Sequence, residues 1–172
     1  QFTGTLGIQW ISRNFAAIGV ETFVPQTKQQ SLGFYTTHKY TWNNWILSAG
    51  IRGELSSVDP KTNQQKLSGN ALPSVTLPND IHYQAISAST AAQWNPFKDL
   101  SVLLSLNRGK RSPDIQELLA LGPHLATRSF DIGNIQLSNE TVNMIDLSLN
   151  WQTRYFSSRM NGYYNHIDNF IY

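Results

Sequence analysis

Apolar and polar positions alternate with a period of two over seven stretches of this chain, at 3–12, 31–40, 45–54, 81–94, 99–108, 140–151 and 156–166. In the sixth, Ile145, Leu147, Leu149 and Trp151 share one parity, and Asp146, Ser148 and Asn150 take the other. On a helix those apolar residues would spread around the axis, whereas a strand sorts them onto one face. The third stretch sets Trp45, Leu47, Ala49 and Ile51 against Ser48, Gly50 and Arg52. In the fifth, Val102, Leu104 and Leu106 oppose Ser101, Ser105 and Asn107, with Leu103 the exception on the polar side. Seven β-strands are therefore predicted.

The connections between them come in two sizes that alternate. Residues 13–30, 55–80 and 109–139 form long connections, and 41–44, 95–98 and 152–155 form short ones. In compact soluble domains loops longer than about 12 to 15 residues are uncommon. An up-and-down transmembrane barrel produces the alternation directly, with tight turns on the periplasmic side and extended loops outside the cell. Aromatic placement points the same way. Trp42 and Trp45 bracket the first short turn, Trp94 and Phe97 the second, and Trp151, Tyr155 and Phe156 the third. Barrels carry such girdles where their strands cross the membrane interface. About ten residues per strand, tilted by about 40°, cover about 25 Å of membrane normal.

Composition narrows the alternatives. With 40% hydrophobic, 12% aromatic and 14% charged residues the chain is too apolar for a disordered polypeptide. No run approaches the roughly 18 to 20 apolar residues of a membrane-spanning helix, which leaves a barrel open because alternating strands are only moderately hydrophobic on average. There is no cysteine, hence no disulfide framework and no thiolate metal site. The net charge of +2 comes with one basic cluster, Arg108-Gly109-Lys110-Arg111, and no nucleic-acid partner is expected. A soluble carbohydrate-binding β-sandwich is the competing fold. It explains neither the alternation of loop lengths nor tryptophans gathered at one end. A passive porin-type channel is the competing function within membranes.

The third long connection contains a short helix signal. Ser112 is placed to cap, Pro113 suits the first helical position, Asp114 favours the N-terminus, and Gly122 is placed to close the C-terminus. Ile115, Leu118 and Leu119 would form one apolar face, packing the loop against a barrel wall or a plug. Catalysis finds no foothold: the glutamates are scattered, and no serine stands in a nucleophile-elbow context. The chain is read as a non-enzyme that requires no cofactor.

At this connection a resemblance becomes specific. Arg108-Gly109-Lys110-Arg111-Ser112-Pro113-Asp114-Ile115-Gln116-Glu117-Leu118 is followed by Gly122-Pro123-His124-Leu125-Ala126-Thr127, Phe130-Asp131-Ile132-Gly133-Asn134, Asn139-Glu140-Thr141 and Tyr163-Tyr164-Asn165-His166-Ile167-Asp168-Asn169-Phe170. This order resembles the barrel of TonB-dependent outer-membrane receptors, with Asn139 where the family usually has proline. The resemblance implies a 22-stranded barrel around an N-terminal plug, in the bacterial outer membrane with long loops exterior. Outer-membrane lipid and the TonB complex, engaged through the plug, are the implied partners. Residues 1–172 would then be about seven strands of that barrel domain, with the plug and the C-terminal strands outside this chain. The implied function is active uptake of a scarce nutrient, a metal ion or a metal chelate of siderophore type. The Gly-Pro-His-Leu-Ala-Thr stretch is similar to that of a subgroup proposed to import zinc, which makes zinc the favoured cargo. Neutral imidazole suits zinc. His124 is the favoured ligand, with His82 and His166 as further candidates because all three fall towards the outer ends of strands or in the exterior loop; His38 is read as structural.

Overall fold

A computed structural model describes residues 1–16, 23–61, 80–124 and 128–172. Its strands are β1 (Phe2–Phe15), β2 (Thr27–Trp42), β3 (Trp45–Pro60), β4 (Ile81–Phe97), β5 (Leu100–Arg111), β6 (Leu121–His124), β7 (Ser129–Ile132), β8 (Glu140–Gln152) and β9 (Ser157–Asp168), with one helix, α1 (Ile115–Leu119), between β5 and β6. The seven long strands form one antiparallel sheet in the order β1-β2-β3-β4-β5-β8-β9, and β6 and β7 pair as a separate hairpin. All seven predicted strands are present, and most extend past the predicted ends. The β6–β7 hairpin was not expected. Among the described residues no second sheet covers the large one, so the sandwich alternative fails.

Register carries the alternation from strand to strand, with one shift between Trp94 and Phe97 beside the β4–β5 turn. Leu104 stands opposite Leu147, Leu106 opposite Ile145, and Leu47 opposite both Tyr40 and Ala92. Directly paired residues share a face, so the apolar parity of every strand lies on one side of the sheet. That side, here called outward, is open: Leu6 is 83% exposed, Ile86 63% and Met160 65%. Water does not tolerate a continuous apolar surface of this size on a monomer, whereas lipid does. The opposite face is concave, with a cleft of ≈ 420 Å³ that reaches from Thr3 and Thr5 on β1 to Ser105 and Asn107 on β5.

The short-turn end carries the aromatic girdle. Trp45 and Trp94 stack with centroids 5.8 Å apart, and Phe156 meets Trp151 edge-on at 6.0 Å. Trp42–Trp45 closes β2 and β3 through Asn43, whose φ of 49° asparagine tolerates better than most residues. At the other end, α1 and the segments beside it fold over the inward face. Ile115, Leu118 and Leu119 join Val24, Val58 and Ala120 in the buried cluster, with Phe15, Ile81 and Tyr83 packed against it. The inward parity of β1, β3 and β4 thus turns from polar to apolar where it receives the helix.

Topology gives a direct check. In the complete receptor, a cysteine at Ser129, in the β6–β7 hairpin, is expected to react with an impermeant maleimide on intact cells, and one at Lys98, in the β4–β5 turn, is not. These 172 residues contain no cysteine of their own. Labelling at 98 without labelling at 129 would invert the orientation.

Candidate functional site

The inward face has two parts, a latch that ties the α1 segment to the wall and a polar surface beneath it. The latch is built on Arg111, at the outer end of β5. Its guanidinium donates to both Glu117 oxygens at 3.0 Å, and to Glu140 at 3.0 and 3.3 Å. One planar fork thereby joins the helix to the first residue of β8. These groups lie beyond the roughly ten residues of strand that span the apolar band. Hydrogen bonds from Arg111 and from the Ile171 amide hold the Glu140 carboxyl below the usual carboxylate range, and Glu117 and Glu140 together push the Arg111 pKa up. Arg13 on β1 reaches Asp114 at 3.4 Å, Ser56 donates to Ser112, and Tyr83 donates to the Leu137 carbonyl.

The helix is capped by Asp114 rather than Ser112. Asp114 accepts from the Gln116 amide, and Glu117 accepts from the Asp114 amide at 2.7 Å, forming a capping box. Glu117 three residues after Asp114 is the sequence signal that decides between the two caps. Gly122 does not close the helix; Ala120 does, in an extended conformation, and Gly122 belongs to β6. The glycine that matters is Gly133, where a Cβ would stand 2.6 Å from the Leu118 carbonyl carbon. Its amide donates to the Ala120 carbonyl at 2.6 Å, which brings the chain leaving β7 against the end of the helix. Asn139, the departure from the family pattern, donates from its side chain to the Gln84 carbonyl at 2.7 Å and so binds the start of β8 to β4.

Beneath the latch, Arg52 on β3 is paired with Glu54 and reaches across β2 to Gln9 on β1 at 2.9 Å. The crossing depends on Gly33, since a Cβ there would lie 2.5 Å from the Arg52 Nη2. Below this bridge lie the hydroxyl and amide side chains of Thr5, Thr37, Ser48, Ser89, Ser105 and Asn107. The sequence marked these positions as polar, but only register shows that they converge. The result is a wall mostly of neutral donors and acceptors, with the Arg52–Glu54 pair, Lys39 in the cleft lining and Asp146 opposite Ser105 among its charges, suited to hydrogen-bonding a polar solute or the surface of another domain.

The comparisons with known proteins fit this architecture. The chain matches the TonB dependent receptor-like, beta-barrel family over residues 1–172. It belongs to that family. The fold is also that of a solved structure described as Copper transporter OprC, with a TM-score of 0.72 over 96% of this chain at 15% sequence identity. The chain spans 28% of that transporter's length. As a TonB-dependent receptor barrel the chain is a part of the Gram-negative outer membrane, and its outward apolar face and girdle are the surfaces that meet lipid.

Of the three histidines singled out as metal ligands, two are placed by the fold, and it does not bring them together. His82 shares the parity of Ile86, Ala88 and Trp94, and His166 that of Met160 and Tyr164, so both face outward rather than into the lumen. The row of His166 runs through Asn143 and Arg108 to Ala88, six residues along β4 from His82. Six residues of strand are about 20 Å. His166 hydrogen-bonds to Asp168 at 3.1 Å. His124 ends β6 opposite Ser129, and the expectation for its imidazole lies outside the described residues, as do Leu125–Thr127 beside it. Among the described residues no group of three histidine, aspartate or glutamate side chains is placed to hold a metal. His38 also faces outward, stacked on Phe2 at 5.4 Å and hydrogen-bonded to Thr36, in space left by Gly4.

Proposed function

We propose that this chain is a loop-bearing segment of the wall of an active uptake receptor, and that the cargo is a transition-metal ion or a small chelate of one. The observation that carries the reading is the family match over residues 1–172, joined to a concave polar face partly roofed by a latched loop. Such a roof suits a receptor that captures cargo at its mouth better than an open porin. Energy would come through the TonB complex and a plug, because an outer membrane holds no ATP. Accumulation of radioactive zinc or copper by cells carrying the complete receptor should require an intact TonB complex. Accumulation that continues unchanged without TonB would favour the passive-channel reading.

Within this reading, the metal rather than a sugar or peptide is supported by the description of the structural neighbour as a copper transporter and by His124 in the exterior hairpin. Imidazole binds both zinc and copper well. The proposal rests on His124, since His82 and His166 face outward on separate strands. Substitution His124→Ala in the complete receptor is expected to lower zinc affinity by about 10- to 100-fold. The affinity of the wild type should weaken with acidity, because a protonated imidazole has no lone pair to give a metal. Identical titration isotherms for the two proteins would remove His124 from the site and leave chelate capture as the remaining form of the reading.

A further inference from the structure

The ladders of the large sheet run to the outer ends of their strands, with one exception. β1 and β2 stay paired to Phe15–Thr27, β2 and β3 to Thr27–Pro60, β3 and β4 to Val58–Ile81, and β5 and β8 to Arg111–Glu140. Between β4 and β5 the pairing stops at Ala88–Arg108, although β4 begins at Ile81 and β5 continues to Arg111. Continued register would have set Ile86 against Lys110. Instead the Ser87 hydroxyl stands in the break, accepting from the Lys110 amide at 3.0 Å and donating to the Lys110 carbonyl at 3.4 Å. Farther out, the Asn139 side chain reaches the Gln84 carbonyl at 2.7 Å. A cavity of ≈ 550 Å³ opens at the same place, with Gln84, Ala85 and Ile86 on one side and Arg108 and Lys110 on the other.

A continuous ladder resists parting because each step breaks main-chain pairs, whereas isolated side-chain clasps yield one at a time. Above Ala88–Arg108 the wall is therefore two bodies, β1 to β4 and β5 with β8 and β9, and the α1 segment bridges them on the inward side. Towards the second body, Arg111 ties Glu117 of the helix to Glu140 at the start of β8. Towards the first, Asp114 pairs with Arg13 of β1 and Ser112 accepts from Ser56 of β3. Tyr83 of β4 donates to the Leu137 carbonyl, on the way from the hairpin to β8. Ile115 and Leu118 share the buried cluster with Val24 and Val58, and Ile81 packs against it. The segment is thus anchored on both sides of the break.

We infer that the α1 segment is a strap across a seam in the wall between β4 and β5, and that its release lets the outer ends of the two bodies part while every ladder stays intact. The strap then sets the width of the mouth as well as roofing it. The test is pulsed EPR on the complete, cysteine-free receptor in detergent, with spin labels at two pairs of exposed outward positions. Ile8→Cys/Lys110→Cys spans the seam along the row through Phe34, Gly53 and Ile86. Phe2→Cys/Leu104→Cys spans the same strands below it, along the row through Tyr40, Leu47 and Ala92. Each pair covers four strand spacings, about 19 Å. Ile115→Asp is expected to lengthen the first distance by about 5 Å, on the order of one strand spacing, and to leave the second unchanged. Ser87→Ala/Asn139→Ala, which removes the clasps and keeps the strap, should broaden the first distribution less than Ile115→Asp does. Where Ile115→Asp abolishes heat-modifiable migration, Ile115→Ala, which leaves a cavity instead of a charge, gives the same comparison in an assembled barrel. The readout needs no cargo and so stands apart from the uptake reading. A first distance equal to wild type in the Ile115 variant, equal lengthening of both distances, or a larger change from the clasp variant than from the strap variant would each overturn the inference.

Discussion

Refolded alone and without detergent, the 172 residues are expected to aggregate rather than to give a cooperative monomer. The reason lies in the distribution of apolar surface. The buried hydrophobic cluster is confined to the α1 end and centres on Val24, Val58, Ile115, Leu118, Leu119 and Ala120, while most large apolar residues of the sheet are open on the outward face. The sheet ends in β1 on one side and β9 on the other, each presenting an unpaired edge among the described residues. Unpaired edges template association, and a barrel escapes them by closing. Detergent should cover the apolar face but leave the edges, so oligomers with strong β-sheet circular dichroism are expected there. A monodisperse monomer with a sharp thermal transition in plain buffer would contradict the membrane reading of the outward face.

Much of the architecture is legible in the chain, and the parts that are not share a physical cause. Strand existence and face assignment follow from a period-2 pattern that needs no tertiary information, which is why Ile145, Leu147 and Leu149 can be placed at once. The same parity argument reaches the histidines. His166 alternates in step with Tyr164 and Met160, and His82 with Ala88 and Trp94, so alternation alone orients both outward and bears against a shared lumenal site. What alternation does not carry is register. The reach of Arg52 across Gly33 to Gln9, and the convergence of Arg111 on Glu117 and Glu140, join residues from separate strands and the α1 segment. The β6–β7 hairpin escapes because four-residue strands are too short for a periodic signal and because Gly122-Pro123 reads as a breaker.

The largest single-site effect is expected at the helix that roofs the inward face. Ile115 is 0% exposed, and Ile115→Asp would place a carboxylate among the apolar side chains of Val24, Val58, Leu118 and Leu119. An unpaired buried charge of this kind costs about 4 kcal/mol or more, or about 1000-fold in the equilibrium between the latched and released segment. The damage should stay local, because the strand ladders of β1 to β5 and of β8 and β9 do not pass through α1. In the complete receptor the variant should keep heat-modifiable migration yet become far more sensitive to protease across residues 112–139 on intact cells. Arg111→Ala is the graded companion. It leaves Glu140 largely buried without its guanidinium, at a cost of about 2 kcal/mol given the partial exposure of Arg111 and Glu117, so its protection should fall between wild type and Ile115→Asp. If the latch sets the opening of the mouth, both variants should also admit bulky antibiotics that the wild type excludes, in the same order as their protease sensitivity. Equal protease resistance of all three proteins would show that the segment is held by contacts other than its apolar face and the Arg111 fork.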